Sequence, residues 1–346
     1  MAIVFHHNDD DGRCAAAIVI LDLLPMYAIR NVKTYEYGYR KDFDIQTAFE
    51  DAGDDVCYIV DLSIDDNVFA IIKEAVSRGM KVVYIDHHKT TIDRIAKMTD
   101  EDKLIMDKIT QFVKTDLSAT MLTWIYSCMN DSQREHPCDV NFSFSPTFTH
   151  VNIENKGIMK IPSAVFYIDD YDIWRHSDPD TMCFHFGFSI ADREWKESHP
   201  DSTVSGKNPK SELWSKLLYE YGRSDQLALE YVQKGKAIQI FKNSEDEFMR
   251  KRGTVKKVEI DGTEYSAFIL NYTGGTTTFG EKLNECDVCV MFSFDHRQNC
   301  WVLSIRSGEE SKFDCAEFAM KHGGGGHPHA AGCAISKLDE IPWLIG

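Results

Sequence analysis

The sequence predicts an α/β protein: an N-terminal, mostly parallel, doubly wound sheet, a helical linker, and a smaller C-terminal α+β domain. Three observations carry this prediction. Short apolar runs alternate with helical patterns through the first half, a polar stretch with Pro200, Gly206 and Pro209 interrupts the chain, and strand-like runs recur at close intervals after residue 254.

Taken in order, the strand-like runs of the first half are Ile3 to Phe5, Val32 to Tyr37, Val56 to Val60 and Met80 to Ile85. Helical patterns fall between them, from about Cys14 to Leu24 and from about Asp65 to Arg78, and later from Met121 to Tyr126. Alternation of this kind is the pattern of a parallel sheet covered by helices on both faces. From Ala191 to Ser211 the chain reads as a loop or boundary. The spacing of Leu213, Leu217, Leu218 and Tyr221, then of Leu227, Leu229, Val232 and Ile238, predicts helix from Glu212 to Arg252. Strands are expected at Val255 to Ile260, Tyr265 to Leu270, Asp287 to Phe294 and Cys300 to Ile305, with a helix near Cys315 to Lys321. The expected division is 1–205, a linker at 206–254, and 255–346.

With 43% hydrophobic residues the 346-residue chain can bury substantial cores. Its 38 basic and 55 acidic residues leave a net charge of −17, which argues against gripping long nucleic acid, since that affinity rests on many Lys and Arg contacts to phosphate. A small anionic substrate held locally is compatible with it. The opening residues run straight into a strand with no leader pattern, and no apolar stretch reaches membrane-spanning length. Ten mostly isolated cysteines fit a reducing cytoplasm, and Cys286 and Cys289, the only C-x-x-C, lie in a strand-like run and read as core.

The chemistry concentrates where strands end. If His7 to Asp11 continues extended from the first strand, alternation brings His7, Asp9 and Asp11 to one side and turns His6 and Asp10 away. Gly12 then permits a sharp turn into the alanine-rich helix. Val56 to Val60 ends in Asp61, and Met80 to Ile85 ends in Asp86-His87-His88. Singly, these read as a charged turn, a helix cap and a solvated loop. Together they place acids and imidazoles at three carboxyl ends, where open α/β sheets form their ligand crevice. Clustered carboxylates repel, and divalent cations relieve the repulsion. The mixture of carboxylate and imidazole favours Mn²⁺ or Mg²⁺, and the ligand number suggests two ions, ~3.5–4 Å apart in phosphoryl chemistry.

His7-Asn8-Asp9-Asp10-Asp11-Gly12, Val60-Asp61-Leu62-Ser63 and Asp86-His87-His88 resemble the first three motifs of the DHH phosphoesterase superfamily. Near the C-terminus, Gly324-Gly325-Gly326-His327-Pro328-His329-Ala330-Ala331-Gly332 resembles the signature of the domain associated with it. The resemblance implies that His7, Asp9, Asp11, Asp61 and His87 bind two metals, with Asp61 bridging. It implies that His88 contacts the substrate phosphate with Asp86 supporting it. A later aspartate should complete the ligand set, and Tyr167-Ile168-Asp169-Asp170-Tyr171-Asp172-Ile173-Trp174 is its source, with Asp172 or Asp170 preferred. Gly324, Gly325, Gly326, His327 and Arg306 would bind substrate, across a cleft from the metals. Near Thr115 to Thr120, helix capping by Asp116 or Ser118 is the favoured reading.

The implied activity is a two-metal phosphodiesterase in which a metal-bound hydroxide cleaves short oligoribonucleotides, or related small nucleotides, to mononucleotides. The length and the Asp-Asp-Tyr-Asp-Ile-Trp stretch look most like the nanoRNase branch. Alternatives are a phosphoesterase for cyclic dinucleotides or 3′,5′-bisphosphate nucleotides, an inorganic pyrophosphatase, and a catalytically silent nucleotide sensor.

Overall fold

The structure is a computed structural model that describes residues 1–38, 44–50, 55–145, 147–202, 205–219 and 223–345. The chain divides into two units, Met1–Ile238 and Gln239–Gly346.

The first unit begins with β1 (Ala2–His7), α1 (Asp10–Leu23), β2 (Val32–Tyr37), α2 (Ile45–Glu50), β3 (Val56–Val60) and α3 (Asp66–Ser77). β4 (Lys81–Asp86), α4 (Lys89–Ala96), α5 (Asp100–Met106) and β5 (Thr110–Val113) follow. The five strands form one parallel sheet in the order β2-β1-β3-β4-β5. Alternate residues of the central strands enter opposite cores. Val4, Val60 and Ile85 pack with Ala15 to Ile20 of α1 on one face, and Ile3, Phe5, Ile59 and Tyr84 pack with Val68, Ile71 and Ile72 of α3 on the other. Burial on both faces explains why these strands read as unbroken apolar runs. Each fully buried Ile or Phe contributes roughly 1.5–3 kcal/mol relative to exposure.

Helices then dominate the first unit: α6 (Ala119–Cys128), α7 (Asp131–Glu135), a small antiparallel sheet of β6 (Phe142–Phe144), β7 (His150–Ile153) and β8 (Gly157–Lys160), and α8 (Ser163–Asp172). α9 (Thr181–Ser198), α10 (Glu212–Tyr219) and the first part of α11 (Ser224–Arg250) complete it. The small sheet has no counterpart among the predicted elements.

Two expectations change here. Helix α9 continues to Ser198, past the boundary expected at Ala191, because Phe184, Phe188 and Ala191 are buried along its inner side while its last turns carry the polar residues that made the sequence look like loop. The expected linker is also less separate than its polarity suggested. Leu213, Trp214, Leu217, Leu218, Ala228 and Val232 belong to the first unit's core, and the division between units falls within α11. Tyr221 lies outside the described residues.

The second unit contains β9 (Thr254–Ile260), β10 (Thr263–Asn271), α12 (Lys282–Glu285), β11 (Val288–Asp295), β12 (Cys300–Arg306), α13 (Cys315–Lys321), β13 (Gly325–His327) and β14 (Ala330–Ile335). Its sheet order is β13-β14-β12-β11-β10-β9, and only β10 and β11 pair in parallel. Cys286 and Cys289 are buried among Phe268, Leu270, Phe279 and Met291, as core residues. Among the described residues no helix is long and apolar enough to cross a membrane.

Candidate metal centre

The first acidic motif is built by a strand end and a helix start, not by a continuous strand. β1 stops at His7, Asp9 is the N-cap of α1, and Asp10 already opens the helix. An extended run through Asp11 would forgo the helix cap, in which Asp9 Oδ1 accepts from the Gly12 amide at 2.9 Å. Gly12 is needed because a Cβ there would meet the His7 backbone at 2.7 Å. His7 Nδ1 lies 2.6 Å from Asp9 Oδ2 and 3.7 Å from Asp61 Oδ2. Asp11 is carried one step further round the turn, where the Ala119 and Thr120 amides donate to its two oxygens at 2.9 and 2.8 Å. These amides belong to the first turn of α6, an end that favours a carboxylate. Ser118 caps that helix through the Met121 amide.

Asp61 follows β3 with φ 58°, a left-handed conformation that is strained for a residue with a side chain. It is 1% exposed. His87 follows β4, and its Nε2 stands 3.3 Å from Asp61 Oδ1, 3.3 Å from Asp172 Oδ2 and 3.7 Å from Asp11 Oδ2. One ring nitrogen cannot satisfy three carboxylates. Asp61 Oδ2 and Asp172 Oδ2 are buried with no hydrogen bond among the described residues. Such oxygens suit a cation.

Among the described residues, three candidate ligand sets have donor atoms all within 4.8 Å of one another: His7 with Asp9 and Asp61, Asp11 with His87 and Asp172, and Asp61 with His87 and His88. Asp61 and His87 are each shared between two sets. The donors are carboxylate oxygens and imidazole nitrogens, a set suited to Mn²⁺ or Mg²⁺ and lacking thiolate.

The protonation pattern agrees. Burial, reinforced by Asp11 and Asp9, holds the Asp61 carboxyl well above the ordinary range and pushes Asp172 to about 9. Burial lowers His87 against the pull of Asp11, which leaves its imidazole neutral and able to ligate. For Asp9, burial opposes ionisation, but the contact with His7 and the Gly12 amide outweigh it and hold its carboxyl low.

Asp86 and His88 form a supporting pair. His88 Nδ1 lies 2.7 Å from Asp86 Oδ1, and Asp86 also accepts from the Tyr84 hydroxyl at 3.0 Å and from Thr91. Burial lowers the His88 pKa and the Asp86 contact raises it, with a net rise.

Of the two later aspartates preferred from sequence, the structure brings Asp172 to the cluster and leaves Asp170 away from it. Asp170 is consumed by hydrogen bonds from Ser177, the Asp178 amide, Thr181 and Arg175. Asp169, one helical turn before Asp172, is also buried, where it accepts from the Ser118 amide at 2.7 Å and from Arg175. Burial raises it to about 6. His6 and Asp10 stay out of the ligand sets: His6 is buried at 2% exposure, and Asp10 pairs with Lys207 at 2.7 Å.

In the second unit Gly325, Gly326 and His327 form β13, which pairs with β14 in the register His327 opposite Ala330. Arg306 also pairs with Ala330, from β12. Arg306 and His327 therefore flank one residue from two sides. A Cβ at Gly326, whose φ is 147°, would meet the Ala330 carbonyl oxygen at 2.4 Å, and one at Gly324 the Gly332 oxygen at 2.1 Å, so these two glycines are demanded by backbone packing. Gly325 and His327 are exposed. The Arg306 guanidinium donates to the Ile305 and Ala331 carbonyls at 2.9 and 3.1 Å.

By sequence, no family model and no curated protein matches the chain. By structure, a pGpG-specific phosphodiesterase from Vibrio cholerae superposes with a TM-score of 0.51 at 12% identity, over 99% of this chain and 95% of that one. The DHH domain of a protein described as belonging to a family of ribosomal proteins gives a TM-score of 0.56 at 15% identity, over 99% and 84%.

Proposed function

We propose, for a chain that has the fold of DHH-domain phosphoesterases, the function of a metal-dependent phosphodiesterase that cleaves short oligonucleotides or related small nucleotides to mononucleotides. The observation that supports it most is the meeting of His7, Asp9, Asp11, Asp61, His87 and Asp172 around two buried oxygens that have no hydrogen-bond partner among the described residues. When bound, two divalent ions, Mn²⁺ foremost with Mg²⁺ as the second choice, supply charge neutralisation, Lewis acidity toward phosphoryl oxygens and an activated water. His7, Asp9 and Asp61 would hold one, and Asp11, His87 and Asp172 the other, with Asp61 between them.

The chain's own groups then divide the work. Asp86 occupies His88 Nδ1 and leaves Nε2 to donate to a substrate phosphate oxygen. The α6 amides fix both oxygens of Asp11 so that it need not reorganise. In this reading the first unit, Met1–Ile238, carries the catalytic groups, and the second, Gln239–Gly346, binds substrate through Arg306, His327 and the Gly324 to Gly326 backbone. The net charge of −17 favours small substrates over long nucleic acid. The linear dinucleotide pGpG, named for the Vibrio cholerae neighbour, falls in this class. Scattered free cysteines favour a cytoplasmic setting.

Incubation with Mn²⁺ and 5′-labelled dinucleotides is expected to release mononucleotides at ~1–10³ s⁻¹. Tight nucleotide binding without turnover would instead support a sensor, and phosphate release from pyrophosphate a pyrophosphatase. Replacing His327 with alanine should raise KM about tenfold with kcat nearly unchanged; an unchanged KM with reduced kcat would contradict a binding role for this exposed strand.

A further inference from the structure

A 360 Å³ cavity in the first unit opens against Asp9, Asp11 and Asp172 and is walled by Tyr171, Phe184 and His185. Its size falls in the range of small-molecule sites, roughly 300–1,000 Å³. Lys207 and Asp10 also line it, and neither belongs to the ligand sets.

Lys207 is only 8% exposed, unusual for lysine, which is rarely buried unless paired. Its Nζ lies 2.7 Å from Asp10 Oδ2 and 4.6 Å from the centre of the Phe188 ring. The backbone holding it is pinned: the Lys207 amide donates to Ser205 Oγ at 3.0 Å, and its carbonyl accepts from Trp214 Nε1 at 2.9 Å. Opposite charges 197 residues apart in sequence are thus brought together beside the metal ligands. The His185 ring stacks on Tyr171 at 4.2 Å and 10°.

This lining suits a flat neutral ring better than a phosphate. The single ammonium is already balanced by Asp10, and the remaining charged neighbours are carboxylates. Aromatic walls offer π-faces and edges to a base. Lys207 and Asp10 present a hydrogen-bond donor and a two-oxygen acceptor side by side, and among the described residues no hydrogen bond reaches Asp10 Oδ1. Of the common bases, guanine alone offers an acceptor followed by two donors along one edge.

We propose that this cavity is a nucleobase subsite for guanine, in which Lys207 donates to O6 and Asp10 accepts from N1–H and the N2 amino group. The inference names the substrate class of the phosphodiesterase proposed above and rests on that reading for its biological meaning.

The test is calorimetric binding of GMP, AMP and ribose 5-phosphate to the Mn²⁺-loaded protein. GMP should bind about tenfold tighter than AMP, the scale of a good two-point base contact, and tighter still than ribose 5-phosphate. Lys207→Met and Asp10→Asn should each erase the preference while leaving ribose 5-phosphate affinity unchanged, and Lys207→Arg should restore most of it. If Lys207→Met does not fold, as judged by circular dichroism, Asp10→Asn decides. Equal binding of GMP and ribose 5-phosphate would overturn the subsite, as would uniform weakening of all three ligands by Lys207→Met, which would make the lysine a phosphate anchor. AMP binding as tightly as GMP would overturn the guanine assignment. Because binding is read without turnover, the two readings fail separately. An inactive protein that still prefers GMP loses the phosphodiesterase and keeps the subsite; an active one without preference loses the subsite alone.

Discussion

Asp61→Ala is expected to remove bound metal and phosphodiesterase turnover together, with kcat lowered at least ~1,000-fold, equivalent to ~4 kcal/mol of transition-state stabilisation. Asp61 is the carboxylate that two ligand sets share, and it is held in place by a strained backbone at the end of a buried strand. In the proposed two-ion arrangement its removal deprives both positions at once. Elemental analysis of the purified variant alongside a kinetic assay checks this, and retention of two ions per chain would sink the bridging role. Asp170→Asn supplies the contrast, since Asp170 is occupied by Ser177, Thr181 and Arg175. That variant should lose roughly 1–3 kcal/mol of stability by leaving buried partners unmatched, while keeping its metal.

The second large effect concerns pH. Metal-free protein should lose stability as pH rises, with the clearest decline between about 7 and 8.5. The Asp61 and Asp172 carboxyls are raised by burial and neighbouring acids, Asp172 to about 9, so the folded chain still holds protons there. In the unfolded chain an aspartate titrates near ~3.9 and has released its proton. The folded state binds more protons, so its stability is full below about pH 4 and falls until pH passes about 9. Each such proton gives a slope of up to ~1.4 kcal/mol per pH unit. His6, lowered to about 4 by burial, acts in the opposite direction, but only below its unfolded pKa of ~6.5, which is why the upper window is the informative one. Saturating Mn²⁺ should displace the protons and flatten the curve, and Asp172→Asn should make it shallower without metal by removing one of the two held protons. Urea titrations at pH 7 and 8.5 measure this; equal stability of the metal-free wild type at both would refute the proton-holding pair.

Residues that sit at strand ends were legible in the sequence because a parallel sheet delivers them to one edge whatever the details of the turn. His7, Asp61 and His87 needed only the strands to be right. Asp9 and Asp11 reach the same place by a helix cap and first turn, so alternation predicted the outcome through an incorrect local conformation. The choice between Asp170 and Asp172 depended on the rotation of α8, whose extent to residue 172 the sequence did not fix. On that helix Asp169 and Asp172 are three residues apart and share a side, while Asp170 turns toward Ser177 and Thr181. The α6 amides that grip Asp11 carry no side-chain signal at all. Lys207 was hidden for another reason: it lies in an irregular stretch matching no motif, and only the tertiary fold brings it to Asp10.

The dispersal of the proposed ligands from His7 to Asp172, over strand ends and two helices, has a consequence for how such a site would acquire ions. No short segment offers more than a fragment of the set, so ions would bind a molecule already held together by its apolar cores. Metal supply then acts on a finished scaffold: occupancy adds RT ln(1 + [M]/Kd) to stability rather than initiating folding. A site of carboxylates and imidazoles follows the Irving–Williams order, which leaves the stronger-binding divalent metals as competitors of Mn²⁺ and Mg²⁺. Which ion is loaded is therefore decided as much by the free metal concentrations where the chain folds as by the chain itself.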